Sequence, residues 1–327
     1  MTVANHLRNL VLSGSLVVGL VAEGQAQYPT QTAAPPRQQA PQAVRPGSLP
    51  AQLMPNTAPQ PLRVAQQPAI PQPQPTSDRP SVAARILDPA LAQPNEHPLM
   101  PALRWAYMGI EEMKQIQDYT CTFVKRERID GVLGEHQYMF MKVRHNPFSV
   151  YIYFLAPADL KGQEVIYING KNDGKLWGHT TGIRDKMVGT VSLNPSGMLA
   201  MKGNRYPITE AGIVTLTQRL IEIAEADSKF GECEVKFFPG AKVSGRTCTC
   251  IQVVHPQRRQ NFRFNLGRVF VDEELNLPIR YEAYEWPQTE GGAPVLTEEY
   301  TYLNLKLNQN LNDSDFDVRN PQYKFRE

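Results

Sequence analysis

The 327-residue chain is poor in the residues that announce chemistry. It has four cysteines and six histidines, and no histidine has another His or Cys at metal-ligand spacing. There is no His-Glu-x-x-His and no Cys-x-x-Cys, so a metal site would need distant partners. A Gly-x-Ser-x-Gly elbow and a phosphate loop are also missing, which removes the local marks of esterase and nucleotide chemistry. The run Asn312-Asp313-Ser-Asp315-Phe-Asp317 has the acids of a calcium loop but lacks its glycine at position six and glutamate at position twelve, and reads as loop capping. With a net charge of +2, no strong field of one sign points to nucleic acid. The basic pieces Lys125-Arg126-Glu127-Arg128 and Arg258-Arg259 read as solvated strand faces. No enzyme, cofactor or metal is expected on these grounds.

What is present begins with an address. Arg8, the apolar stretch Leu10 to Val21 and the small residues of Gly24-Gln25-Ala26 form a signal-peptide pattern over residues 1–26, with cleavage after Ala26. The apolar stretch is shorter than the roughly 20 residues of a membrane span, which leaves an uncleaved anchor as the weaker alternative. No cysteine follows it to carry a lipid. The expected location is the periplasm or cell envelope of a bacterium. Residues 27–98 are rich in Pro, Gln and Ala, and most of the 28 prolines lie before Pro101. Such a segment cannot bury enough apolar surface to offset its ordering entropy, and is expected to be a disordered linker. The globular part is residues 99–327.

Within that part, Leu103, Tyr107, Ile110, Met113 and Ile116 recur at helical spacing, as do Ile213, Leu216, Leu220 and Ile223 in a helix starting near Thr209. The remainder reads as strands punctuated by turns such as Asp130-Gly131. The central pair is Phe148 to Leu155 and Glu164 to Gly170, joined by a turn with Pro157, Asp159 and Gly162. In the first of these strands Val150, Ile152 and Phe154 alternate with Tyr151, Tyr153 and Leu155. Both faces are apolar, so both must be covered. Nine or ten mostly antiparallel strands and two helices give an α+β domain built on one long, curved sheet, with the helices on its concave side. Cys233, Cys248 and Cys250 lie on neighbouring strands of an exported chain, and a bridge from Cys233 to Cys248 or Cys250 is favoured over buried thiols.

Three motifs carry a resemblance. Asp118-Tyr119-Thr-x-Thr-Phe-Val-Lys-Arg-Glu127, Phe154-x-x-Pro157-Ala-Asp-Leu-Lys-Gly162-x-Glu-Val165 and Leu311-x-Asp313-x-Asp315-Phe316-Asp317-x-x-Asn320-Pro321-x-Tyr323-x-Phe325 resemble the bacterial family called domain of unknown function 1571. That family in turn looks similar to the periplasmic lipoprotein carriers that sort lipoproteins to the outer membrane. The resemblance implies an incomplete β-barrel around an apolar cavity that holds acyl chains. The chain departs from the carriers in its long Pro/Gln tether and in lacking a placeable counterpart of the arginine that holds the carrier closed. On this reading the protein is a non-enzymatic, monomeric carrier of a lipid, a lipoprotein acyl chain or another apolar ligand. Met139, Met141, Tyr151 and Tyr153 are then expected to line the cavity, since methionine adapts to variable shapes and tyrosine tolerates a polar head group. Val150, Ile152 and Phe154 are expected in fixed packing. The alternative is a structural or adaptor protein of the cell envelope that holds a protein partner through the tether.

Overall fold

The computed structural model describes residues 80–91, 93–181 and 189–325. The signal pattern and the linker up to residue 79 lie outside the described residues. Twelve strands make one antiparallel sheet: β1 (Asp118–Ile129), β2 (Val132–Leu133), β3 (Gln137–His145), β4 (Phe148–Ala156), β5 (Glu164–Ile168), β6 (Leu176–His179), β7 (Thr190–Leu193), β8 (Glu234–Val243), β9 (Arg246–Val254), β10 (Leu266–Asp272), β11 (Pro278–Glu285) and β12 (Val295–Leu307). Their order is β7-β6-β5-β4-β3-β1-β12-β11-β10-β9-β8, with short β2 folded back on β1 at the Asp130-Gly131 turn. Both turn residues have positive φ, as a tight hairpin turn of this kind demands.

The expected incomplete β-barrel is not what forms. The strand path runs from β7 at one edge to β8 at the other, and the sheet is neither closed nor strongly curled. The physical reason lies in how its faces are covered. Helices α2 (Met100–Met113) and α4 (Ile213–Asp227), with the one-turn α3 (Met198–Met201) between them in the chain, bury one face. The C-terminal segment buries part of the other, where Phe316 packs with Tyr151 and Ile166. With each apolar face met by its own covering chain, burial does not require the sheet to roll up on itself.

Two boundaries differ from the sequence pattern. A five-residue helix, α1 (Val82–Ile86), falls inside the stretch assigned to the linker, yet Val82 and Ile86 are buried against Trp105, Ile251 and Val271. Its backbone is tied to the domain: Val82 N–H donates to the Glu273 carboxylate at 2.5 Å and Ala83 N–H to the Thr249 hydroxyl at 3.3 Å. The proline-rich composition around it conceals so short an amphipathic turn. Helix α4 begins at Ile213 instead of Thr209, because Ile208–Glu210 forms a separate 3-10 turn and Gly212 takes φ +112°. The Tyr119 hydroxyl accepts the Ile213 N–H at 3.0 Å, satisfying one of the helix's unpaired first-turn donors. A Cβ on Gly212 would stand 2.9 Å from that hydroxyl. Gly212→Ala should therefore cost about 1–3 kcal/mol through backbone strain and displacement of this cap, read as a lower denaturant midpoint with unchanged slope.

Candidate functional site

The ladder between β3 and β4 decides where the four expected ligand residues fall. Met141 pairs with Ile152, and Lys142 with Tyr151. Directly paired residues share a face, so Met139 and Met141 lie on the helix side with Val150 and Ile152. Met141 is part of the core around Tyr119, Val143 and Ile213. Tyr151 and Tyr153 lie on the opposite side, packed with Phe140 and Phe316. Tyr151 stacks on Tyr323 at 4.1 Å and its hydroxyl donates to Glu164 at 3.1 Å. The two methionines and the two tyrosines therefore do not meet around one cavity. Residue type groups the four, whereas alternation along the paired strands separates them.

The expected bridge from Cys233 to Cys248 or Cys250 does not form. Cys121, Cys233, Cys248 and Cys250 are buried free thiols. Cys233 packs with Leu99, Leu103 and Ile221 of the helix side. Cys248 packs with Val243 and Ile279 on the other side, and Cys250 faces Phe238 across the ladder, five positions along β8 from Cys233. At ~3.3 Å per residue that is on the order of 16 Å, well beyond the ~7 Å reach of a bridge. Burial pushes the Cys233 and Cys250 thiols up to about 11 and Cys248 to about 12, so they are protonated packing groups.

An apolar cavity does exist, elsewhere. It lies between α2, α4 and strands β9 to β11 and has a volume of about 80 Å³. Leu103, Trp105 and Ala106 come from α2, and Leu220, Ile221 and Ala224 from α4; Ile251, Val269 and Tyr281 form the floor. Gly267 also lines it, and its missing side chain gives the Phe264 ring its place: a Cβ there would lie 2.9 Å from that ring. A glycine inside a strand is a recognised sign of close approach, and it is the signal in the sequence that could have marked this spot.

One polar grouping lies beyond the cavity wall and another touches it. Along the sheet, beyond Tyr281, the Tyr300 hydroxyl lies 2.6 Å from Glu127 and 3.1 Å from Glu298. Lys125 pairs with Glu127 at 3.1 Å and Arg205 with Glu298 at 3.0 Å. Burial pushes the Glu298 carboxyl up, with the nearby Glu127 adding to it and Arg205 opposing. Each acid has its own cation, so this is a satisfied network and not a pair of carboxylates free for acid-base work. At the end of α4, the buried His255 and Asp227 face each other, Nε2 to Oδ2, at 3.3 Å. His255 Nδ1 lies 3.0 Å from the Phe264 carbonyl. Asp227 is the one acid in the cavity wall.

Arg258 and Arg259 do not sit on a strand face. They belong to the β9–β10 connection, which also carries Phe262 and Phe264; their alternation with Arg263 reads as a strand, but β10 starts only at Leu266. Among the described residues no group of three or more His, Cys, Asp or Glu could hold a metal ion, and no helix is long and apolar enough to cross a membrane. Asn312 and Asp315 form a reciprocal capping box on the turn Asp313–Phe316.

Comparison with solved structures gives distant likenesses. The lipoprotein LppX of Mycobacterium tuberculosis is 12% identical with a TM-score of 0.37, matching 67% of this chain and 100% of its own. A putative outer membrane lipoprotein-sorting protein domain from Vibrio parahaemolyticus is 12% identical with a TM-score of 0.33, over 66% of this chain and 95% of its own. A LolA superfamily protein from Nitrosomonas europaea is 12% identical with a TM-score of 0.28, over 65% and 97%. No curated protein matches the sequence. The model of the family described as protein of unknown function (DUF1571) matches residues 116–325, from just after α2 through the C-terminal covering segment, and the chain belongs to that family.

Proposed function

We propose that the domain is a non-enzymatic binding protein of the bacterial cell envelope that holds an apolar chain between the helix pair α2/α4 and strands β9 to β11. The observation that carries this reading is the cavity with its almost wholly hydrocarbon wall. Size sets the mechanism. A dry cavity of about 150 Å³ takes a benzene, so the 80 Å³ here is too small for an acyl chain as it stands. Binding requires α2 and α4 to move apart, and the closed form is the unloaded one. The helices touch each other through side chains that can part without breaking the sheet, Tyr107 donating to Glu225 across the outside.

The neutral apolar dye 1-aminoanthracene tests this. Its fluorescence should rise on mixing with the mature protein. Ala106→Leu, which places three more carbons in the cavity, should weaken the dye by about tenfold, roughly 1.4 kcal/mol, with stability changed by no more than overpacking allows, about 1–3 kcal/mol. Equal binding by parent and variant would place the dye elsewhere and remove the basis of the proposal.

A further inference from the structure

A cleft of about 440 Å³, walled by Arg258, Arg259, Arg263, Phe262 and Trp286, shares one buried neighbour with the apolar cavity. The shared neighbour is the buried His255. Its ring stacks on Phe262 at 4.0 Å, a wall of the cleft, and also meets Phe264 at 4.9 Å and Asp227 at 3.3 Å, both walls of the cavity. The cleft is built on fixed supports. The Trp286 indole N–H donates to the His255 carbonyl at 3.0 Å, and the Arg258 guanidinium lies over the Trp286 ring at 5.8 Å.

The charges are only partly matched. Arg259 is committed to Glu232, with two hydrogen bonds of 2.8 and 3.0 Å. Arg258 and Arg263 enter no ion pair among the described residues, while Glu285 is the acid in the cleft wall. The three guanidinium groups against the carboxylates of Glu232 and Glu285 leave one net positive charge. A planar guanidinium stacked on an aromatic ring keeps its N–H groups free to bind an oxyanion in two-pronged fashion.

We infer that this cleft receives the anionic head group, a phosphate-bearing one, of an amphiphile whose chain enters the cavity under α2 and α4. The inference rests on the proposed function and names the class of ligand: a single-negative-charge phospholipid-like amphiphile in preference to a neutral lipid. His255 and Asp227 mark the point where head and chain divide. A ligand crossing there passes a buried pair whose facing atoms, His255 Nε2 and Asp227 Oδ2, make no hydrogen bond of good geometry to each other or to other protein groups.

The experiment uses the full mature chain and three probes, each displacing 1-aminoanthracene or measured by calorimetry. They are lysophosphatidylglycerol, the monoacylglycerol of the same chain length, and inorganic phosphate. The parent should bind lysophosphatidylglycerol about tenfold more tightly than the neutral lipid, the worth of one charge-assisted hydrogen bond. The exposed double variant Arg258→Gln/Arg263→Gln should lose that preference and keep its affinity for the neutral lipid. Glu285→Gln, which removes the opposing acid, should shift the preference the other way. An unchanged preference in the double variant overturns the head-group assignment while leaving the chain-binding reading intact. Failure of both lipids to bind overturns the chain-binding reading and this one with it. Phosphate bound as tightly as the amphiphile, and lost in the double variant, would make the cleft a free-oxyanion site unconnected with the cavity and likewise overturn the assignment.

Discussion

Phe316→Ala should lower the melting temperature by roughly 6–20 °C. Truncating a fully buried phenylalanine costs about 3–5 kcal/mol, and in a domain of this size each kcal/mol moves the midpoint by about 2–4 °C. Phe316 is 1% exposed and fills the space between Tyr151 and Ile166 on the sheet face away from the helices, with the Arg144 guanidinium 4.9 Å from its ring. It is the anchor of a segment held by several polar contacts as well. Lys142 Nζ binds Asp315 at 2.7 Å and the Tyr323 hydroxyl at 3.1 Å, and Glu164 accepts the Lys324 N–H at 2.7 Å. The buried Asp118 carboxylate accepts from Gln309 N–H at 2.5 Å and Leu311 N–H at 2.9 Å. Thermal melts followed by near-ultraviolet circular dichroism give the number. A shift of under about 2 °C would mean the segment is a passive cover that the sheet does not need.

The same segment should loosen in acid. Burial pushes the Asp315 carboxyl up, but the hydrogen bond from Lys142 and one with Asn312 outweigh it, and the group sits below its ordinary value of 3.8. A carboxyl with a depressed folded pKa contributes stability that is fully present above the unfolded value, near 3.9, and is lost as the pH falls through the folded one. Between about pH 5 and pH 2, stability should fall in the parent, and less steeply in Asp315→Asn, which has already lost that contribution. Parallel acid titrations of the two proteins would show Asp315 to be a bystander.

Most of the scaffold was legible in the sequence because periodicity reports it directly. Alternation and helical spacing pick out segments that overlap β1, β3 and β4 and the stripes of α2 and α4. The two-sided apolar character of β4 also told correctly that both faces are covered. What it could not tell is which chain covers them: Phe316, Tyr323 and Phe325 stand in an acidic, turn-like segment with no period of its own, and only the fold brings them against Tyr151. The site was less legible still. Met141 and Tyr151 belong to strands whose register decides their face, and register is a tertiary fact. Trp105, Gly267 and Tyr281 come from a helix and two strands far apart in the chain, so no local pattern groups them.

Trp105→Ala should have the second large effect, and should separate stability from binding. The side chain is 5% exposed, packs with Val82, Ile86, Ile251 and Val271, and lines the cavity. Its indole N–H donates to the Asn276 side-chain oxygen at 3.0 Å, while Asn276 in turn donates to Glu112 at 2.9 Å. Truncation removes about 3–5 kcal/mol of packing and leaves the buried Asn276 oxygen without its donor, about 1–3 kcal/mol more. Trp105→Phe keeps most of the ring and loses the hydrogen bond, so it should cost only the second, smaller part. For binding the expectation reverses. If cavity size is what limits entry of an apolar chain, removing the indole enlarges the space beyond 80 Å³ and spares the helices part of their separation. At a temperature where the variant remains folded, it should then bind 1-aminoanthracene more tightly than the parent, as Trp105→Phe should not. Weaker binding by the folded alanine variant would mean that the indole is itself a ligand contact, and that the closed cavity already has the shape its ligand needs.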